Sequence, residues 1–279
     1  MNHATVIVNI THPRDADLQK KSLWFSEQPG ITLLTSSPKS LAGGAEEPPY
    51  PILHITRKGI YLEAGDHPLH FHPSMALLRV MQILRGEGDR FLEAVDLRAG
   101  DVFLDATLGL GTDALVAAAQ VGAQGKVMGI EHSPILAALV KDGLRTLAQG
   151  DCPRVQNPDK AKAWQVLAEA AQRIEVLWGD HLELLSGYPT AFADVVYFDP
   201  MFRHTREKSA SIRPLHEVAN SGSLQGETVA EACRVAKRRV VLKERKASRE
   251  FSRLGFEIQE GGNYSHVDYG IIHKEGAGS

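Results

Sequence analysis

The chain has 279 residues, and 43% of them are apolar and 23% charged, with a net charge of −3. This composition indicates a globular protein with a sizeable core and excludes a disordered chain or a polycationic coat for nucleic acid. No run of about 18 uncharged apolar residues is present, so no membrane span is predicted. Two cysteines and the absence of a recognisable export signal favour a reduced, cytoplasmic setting.

Residues 1–65 are predicted to form a small N-terminal α+β lobe. The predicted elements are strands at 4–10 and 31–35, a helix within 15–27 and a hairpin at 52–63. The stretch 36–51 is rich in Ser, Gly and Pro and is predicted to be a loop.

Residues 66–279 are predicted to form a second, larger α/β domain. Its first helix begins at Ser74, and from residue 100 strands and helices alternate, which indicates a mostly parallel sheet. Parallel strands are predicted at 101–106, 126–131, 173–178, 193–199 and 238–243. Helices are predicted at about 111–122, 133–149, within 158–172 as a surface insertion, 181–186 and 224–236. The last two strands, 255–260 and 267–273, have a link too short for a parallel crossover and are expected to be antiparallel.

A glycine-rich turn follows the first strand of this domain. Asp105 ends the strand, and the turn that begins at Thr107 contains Gly109 and Gly111 before a helix starts. Glycine allows a sharp turn and a close approach to a ligand. The spacing fits both a dinucleotide and S-adenosylmethionine (SAM) as the cofactor.

The charge of the strand ends favours SAM. Five acids are expected at the ligand crevice of the sheet, with no Lys or Arg among the strand-end residues to balance them: Asp105, Asp113, Glu131, Asp180 and Asp199. At about 4–6 Å a carboxylate repels a pyrophosphate by roughly 1–4 kcal/mol. SAM carries an ammonium and a sulfonium, which suit this crevice. Glu131 is predicted to bind the ribose hydroxyls and Asp180 the adenine amino group.

The fourth parallel strand ends in Asp199-Pro200-Met201-Phe202. This sequence resembles the Asp/Asn-Pro-Pro-Tyr/Phe loop of methyltransferases that act on exocyclic amino groups. Such an amine is a poor nucleophile because its lone pair is delocalised into the ring. Asp199 and the Pro200 carbonyl are predicted to accept its two hydrogens, and Phe202 to stack on the base.

Two basic segments follow this loop and predict a polyanionic partner. The residues predicted to contact nucleic acid are Arg203, Arg206, Lys208, Lys237, Arg238, Arg239, Lys243, Arg245 and Lys246. A solvated charged face is the alternative. The run His67, His70, His72 is not predicted to bind a metal, because strand alternation would separate His67 from the other two.

Four segments together carry a resemblance that covers roughly residues 70–273. They are LDATLGLGTDALVAA, IEHSPILAALVKDGL, VVYFDPMF with its basic continuation, and RVAKRRVVLK. They resemble the SAM-dependent 16S ribosomal RNA guanine-N2 methyltransferases of the J type, and more closely the relatives of that family in Gram-positive bacteria. The resemblance implies a Rossmann-like class I methyltransferase fold with a seven-stranded sheet.

The same resemblance implies the cofactor contacts and the substrate. The contacts fall on Thr112 and Asp113, Glu131 and His132, Asp180 and His181, and Asp199. The implied reaction is methyl transfer from SAM to an exocyclic base amine, guanine N2 of small-subunit rRNA, without a metal or a membrane. Three alternatives stay open: methylation of DNA, protein or a small molecule, an NAD-dependent oxidoreductase, and a non-catalytic RNA-binding module.

Overall fold

The computed structural model describes residues 3–34, 50–64, 67–150, 155–200, 223–259 and 265–274. The strands are β1 (Ala4–Ile10), β2 (Ile31–Leu34), β3 (Ile52–Thr56), β4 (Gly59–Ala64), β5 (His67–Leu69), β6 (Val102–Asp105), β7 (Lys126–Glu131), β8 (Ile174–Trp178), β9 (Ala193–Phe198), β10 (Ala236–Arg245), β11 (Glu257–Gln259) and β12 (Val267–His273). The helices are α1 (Ala16–Ser26), α2 (Ser74–Leu84), α3 (Arg90–Val95), α4 (Thr112–Val121), α5 (Pro134–Ala148), α6 (Pro158–Ala171), α7 (His181–Gly187), α8 (Gly226–Val235) and α9 (Glu250–Leu254).

The N-terminal strands form a five-stranded sheet in the order β2-β1-β3-β4-β5. Strand β1 is parallel to β2 and β3, and β3, β4 and β5 follow as an antiparallel meander. Helix α1 buries Leu18 and Phe25 beside it. This sheet takes in β5, beyond the predicted boundary of the N-terminal lobe. The domain division at residue 65 stays a prediction.

The larger sheet has seven strands in the order β11-β12-β10-β9-β6-β7-β8. Strands β10, β9, β6, β7 and β8 are parallel, whereas β12 is antiparallel to both β10 and β11. This arrangement confirms the expected α/β sheet that ends in an antiparallel hairpin.

Both faces of the large sheet are buried, as the apolar runs in its strands require. In β9, Val195 and Tyr197 face the core shared with α4, α5 and α6, whereas Val196 and Phe198 face the core shared with α7 and α8. Alternation along the strand thus builds two hydrophobic cores and fixes the register.

Two helices differ from the sequence-based expectation. Helix α6, predicted as a surface insertion, packs against α2, α4 and α5 and buries Ala163 and Leu167 completely. Helix α3 was not predicted, because its six residues are too few for a helical period to stand out. Asp89 caps α3 by accepting a hydrogen bond from the Leu92 amide.

The strand order places a switch point between β6 and β9. The chain runs outward from β6 to β7 and β8 and then returns to form β9 on the other side of β6. Loops at the carboxyl ends of β6 and β9 therefore diverge and leave a crevice, which is where ligands bind in open α/β sheets.

Candidate active site

The glycine loop joins β6 to α4 at this crevice. Gly109 and Gly111 have φ values of 53° and 74°, in the left-handed region that favours glycine. The Leu108 amide donates to the Ile130 carbonyl at 2.9 Å, which anchors the loop over β7. Thr112 begins α4, so the unpaired amides of the first helical turn lie at the same edge of the sheet.

Glu131 lies at the end of β7, is 5% exposed, and is tied to this loop. One carboxylate oxygen accepts a hydrogen bond from the Gly109 amide at 3.0 Å, and the other accepts one from the Ser133 amide at 2.8 Å. Burial raises the pKa of Glu131 to about 7, although these backbone hydrogen bonds act in the opposite direction. Each oxygen keeps a lone pair for a ligand.

Asp180 and His181 follow β8, and His132 follows β7. Asp180 caps α7 by accepting hydrogen bonds from the Leu182 and Glu183 amides through one oxygen. Its other oxygen lies 3.9 Å from His132 Nδ1. Burial lowers the pKa of His181, with Asp180 opposing it. Asp180 thus serves as a helix cap and retains one oxygen for a ligand.

Asp199 comes directly after β9 and meets the glycine loop. Its amide donates to Thr107 Oγ1 at 2.6 Å. Burial raises the pKa of the Asp199 carboxyl, and the nearby Lys243 opposes the shift. The predicted target loop therefore starts in contact with the predicted cofactor loop. Phe202, Arg203, Arg206 and Lys208 lie outside the described residues, and their roles stay predictions.

A buried charge network lies beside Asp199, and sequence reasoning missed most of it. Lys243 Nζ lies 2.7 Å from Asp199 Oδ2 and 3.1 Å from Asp113 Oδ2. Asp113 also accepts hydrogen bonds from Arg79 and, at 2.8 Å, from the Tyr197 hydroxyl. The expectation that no cation balances these acids is wrong for Asp113 and Asp199.

The network sets the charge of its members. Burial alone would raise the pKa of Asp113, but Lys243 and Arg79 outweigh it and lower the pKa to about 2. Asp105, which accepts a hydrogen bond from the Thr107 amide, has its pKa raised by burial. Asp113 uses its carboxylate within the protein, and the cofactor contact that the resemblance implies for it stays a prediction.

The basic segment of β10 is divided between the two ends of the strand. Lys237, Arg238 and Arg239 lie at the amino end, whereas Lys243, Arg245 and Lys246 lie at the carboxyl end or just past it. The first three residues pair with acids at that amino end: Asp194, Asp96 and Asp101. The structure therefore does not bring Lys237, Arg238 and Arg239 to Asp199, and Lys243 is committed to two carboxylates.

Two histidines of the predicted non-metal run lie side by side. His70 and His72 have ring centroids 5.1 Å apart. Within the described ranges, no group of three or more His, Cys, Asp or Glu side chains is arranged to hold a metal ion.

Comparison with known proteins identifies the family. A family model described as "Putative SAM-dependent methyltransferase" matches residues 52–254, which is most of the chain. The chain belongs to this family of SAM-dependent methyltransferases. Its cofactor is therefore S-adenosylmethionine, and the dinucleotide alternative is excluded.

Two named relatives show which methyltransferase-family proteins this chain is similar to. It is 39% identical over 202 residues to the uncharacterized protein YpiP of Bacillus subtilis, covering 72% of this chain and 73% of that one. It is 35% identical over 164 residues to ribosomal RNA small subunit methyltransferase J of Shewanella amazonensis, covering 57% and 59%. The chain thus spans less than two thirds of the length of that J relative.

A solved structure supports the fold over nearly the whole methyltransferase. The SAM-dependent methyltransferase NGO1261 of Neisseria gonorrhoeae superposes with a TM-score of 0.62 at 18% identity, covering 99% of this chain and 98% of that one. The expected class I methyltransferase fold is therefore confirmed.

The residues at the crevice of the methyltransferase fit SAM. Glu131 offers a free lone pair on each oxygen for the two ribose hydroxyls, and a Cβ at Gly109 would meet no atom within 4 Å, so the loop is open on that side. Asp180 and Glu131 supply acids with no Lys or Arg paired to them among the described residues. This donor and charge set suits a ligand with ribose hydroxyls and positive charge.

Proposed function

We propose that this methyltransferase transfers a methyl group from SAM to an exocyclic amino group of a nucleobase in RNA, with guanine N2 of 16S rRNA as the target. The J-type relatives support an rRNA substrate. The Asp-Pro pair after β9 supports an exocyclic amine, because a carboxylate and a carbonyl can accept its two N–H groups.

One contact carries the proposal. The hydrogen bond of 2.6 Å from the Asp199 amide to Thr107 Oγ1 joins the start of the target loop to the cofactor loop. An amine held by Asp199 would therefore lie beside a methyl donor bound at the glycine loop. Holding two reactants together in this way lowers the barrier without further chemistry.

The side chains perform orientation and proton removal. Asp199 and the Pro200 carbonyl each accept one amine hydrogen, and the proline ring restricts the turn that aims this carbonyl. Bound SAM supplies a methyl group on a positively charged sulfur. Because this sulfur leaves as a neutral thioether, no strong base is required. As the N–C bond forms and the S–C bond breaks, the nitrogen becomes acidic, and Asp199, with its raised pKa, takes the released proton.

The direct test uses the full chain with 16S rRNA and with intact small ribosomal subunits. Incubation with methyl-labelled SAM is expected to label the RNA, and digestion with mass spectrometry is expected to find N2-methylguanosine. A label on another base would contradict the guanine assignment. Automethylated or protein-bound label with no label in RNA would contradict the RNA assignment.

Glu131 predicts a pH dependence of cofactor binding. Only its ionised form accepts hydrogen bonds from both ribose hydroxyls, and its pKa is about 7. Binding of 5′-methylthioadenosine, which has the ribose and adenine of SAM but no amino acid, is therefore expected to be about tenfold weaker at pH 6 than at pH 8 by calorimetry. Glu131→Gln is expected to bind weakly and without this dependence. A flat profile for the native protein would remove Glu131 from the ribose site.

The basic residues after Phe202 predict a salt effect on RNA binding. Arg206→Glu with Lys208→Glu is expected to weaken binding and to reduce the slope of log affinity against log salt by ~0.7 for each phosphate that the variant no longer neutralises. The control is Lys20→Glu with Lys126→Glu, an equal charge change at two exposed lysines that pair with Asp17 and Glu175. A slope equal to that of the control would contradict phosphate contacts at Arg206 and Lys208.

Location and partners complete the proposal. No helix in the described part of the chain is long and apolar enough to cross a bilayer. The rRNA relatives support a cytoplasmic enzyme whose partner is small-subunit rRNA.

A further inference from the structure

A large cavity lies away from the predicted cofactor residues. Its volume is about 1020 Å³, and it lies between the N-terminal sheet and the helices α5 and α6. The Arg57–Gly59 turn, Phe71, the Leu139–Leu147 face of α5 and Trp164 of α6 all line it, and none of the predicted cofactor contacts does. Ligand cavities of about 300–1,000 Å³ hold drug-sized molecules, so a nucleotide has room here.

One part of the cavity is aromatic. Tyr61, Phe71 and Trp164 are among its lining residues, and the Tyr61 ring stacks on His54 with ring centroids 4.4 Å apart. Flat, apolar rings held by the fold suit the face of a nucleobase, and such stacking accepts any base.

The rim of the cavity is basic. Lys21 and Lys58 line it, and neither has an acid within ion-pair distance in the described part of the chain. Asp142 is an acidic lining residue, and Arg145 neutralises it at 2.7 Å. Two cations without acidic partners beside aromatic walls match an aromatic ligand that carries a phosphate.

We propose that this cavity binds a nucleotide of single-stranded RNA, with the base between the aromatic side chains and the phosphate at Lys21 and Lys58. The proposal rests on the RNA substrate proposed above. The cavity and the predicted cofactor site flank the same helix, α5, which begins just after Glu131 and Ser133. The N-terminal lobe thus provides a second RNA-binding site, which holds one nucleotide while another is methylated.

The test measures binding by the full chain with two probes, guanosine monophosphate by calorimetry and a labelled single-stranded RNA 12-mer by fluorescence anisotropy. Trp164→Ala removes one aromatic lining residue, and it is expected to weaken nucleotide binding about fivefold or more. Lys21→Glu with Lys58→Glu is expected to weaken RNA binding at least about tenfold and to flatten its salt dependence. Affinity for SAM is expected to be unchanged in both variants.

The matched control is Lys20→Glu with Lys126→Glu, which changes the net charge equally, with Lys20 adjacent to Lys21 but outside the cavity. RNA affinity equal to that of the control would overturn the cavity assignment, even if the native protein methylates rRNA. RNA binding that depends on Lys21, Lys58 and Trp164 would support it, even if no methyl group is transferred. Displacement of guanosine monophosphate by an acidic peptide but not by RNA would overturn it.

Discussion

Asp199→Ala is expected to lower kcat for methyl transfer by about 10³-fold, because it removes the group that we propose both orients the amine and takes its proton. The affinity for SAM is expected to stay within about tenfold, since Glu131 and the glycine loop are unchanged. The measurement is transfer of labelled methyl groups to rRNA at saturating SAM, with calorimetry for the cofactor.

Misfolding is a poor explanation for such a loss. In Asp199→Ala, Lys243 keeps its partner Asp113 at 3.1 Å, so no cation is left unpaired. Asp159→Ala is the matched control, because Asp159 is an exposed acid on α6 that pairs with Arg85, and its kcat is expected to be native. Native kcat for Asp199→Ala would exclude Asp199 from the mechanism.

Lys243→Met is expected to reduce the free energy of unfolding by about 3 kcal/mol at pH 8. Methionine fills most of the same volume but leaves the buried Asp113 and the partly buried Asp199 without the ammonium between them. Removing one partner of a buried ion pair costs about 3–5 kcal/mol, and Arg79, which still pairs with Asp113, places the expected loss at the lower end.

The pH dependence separates lost charge from lost packing. In the native protein Asp113 has a pKa of about 2 and stays ionised between pH 8 and 5. In Lys243→Met the pKa of both acids is expected to rise, so protonation at lower pH relieves the unpaired charge. The difference in free energy of urea unfolding between the native protein and Lys243→Met is therefore expected to be smaller at pH 5 than at pH 8. The same difference at both pH values would show that lost packing dominates.

Lys126→Met is the control for this experiment. Lys126 pairs with Glu175 at 2.7 Å, but both side chains are about half exposed. Exposed pairs contribute about 0–1 kcal/mol. A loss in Lys126→Met as large as that in Lys243→Met would contradict the importance of burial.

The sequence predicts the fold well because its signals are local. Apolar runs mark the buried strands, and a short link after residue 259 is enough to indicate that β12 turns back on β11. The positions of Asp105, Glu131 and Asp199 follow in the same way, since parallel strands bring their carboxyl ends to one edge. None of this requires knowledge of distant contacts.

The charge network was missed because its contacts are distant in sequence. Arg79 meets Asp113 from a helix that precedes the large sheet, and Lys243 arrives from β10. One signal was present: Arg79 is the single charged residue in the apolar helix SMALLRVMQIL, where an arginine needs a buried partner. Similarly, a run of basic residues in β10 does not show that the two ends of this strand lie at opposite edges of the sheet.

The network also affects the positive charge that develops during the proposed methyl transfer. Three carboxylates (Asp89, Asp113 and Asp199) face two cations (Arg79 and Lys243), so one negative charge is left over. Asp113 contacts both Arg79 and Lys243, whereas Asp199 contacts Lys243, which it shares with Asp113. The unbalanced negative charge therefore lies at Asp199. In the proposed transfer to an amine, positive charge would develop on the nitrogen, and a fixed negative charge at Asp199 would stabilise it before any proton has left.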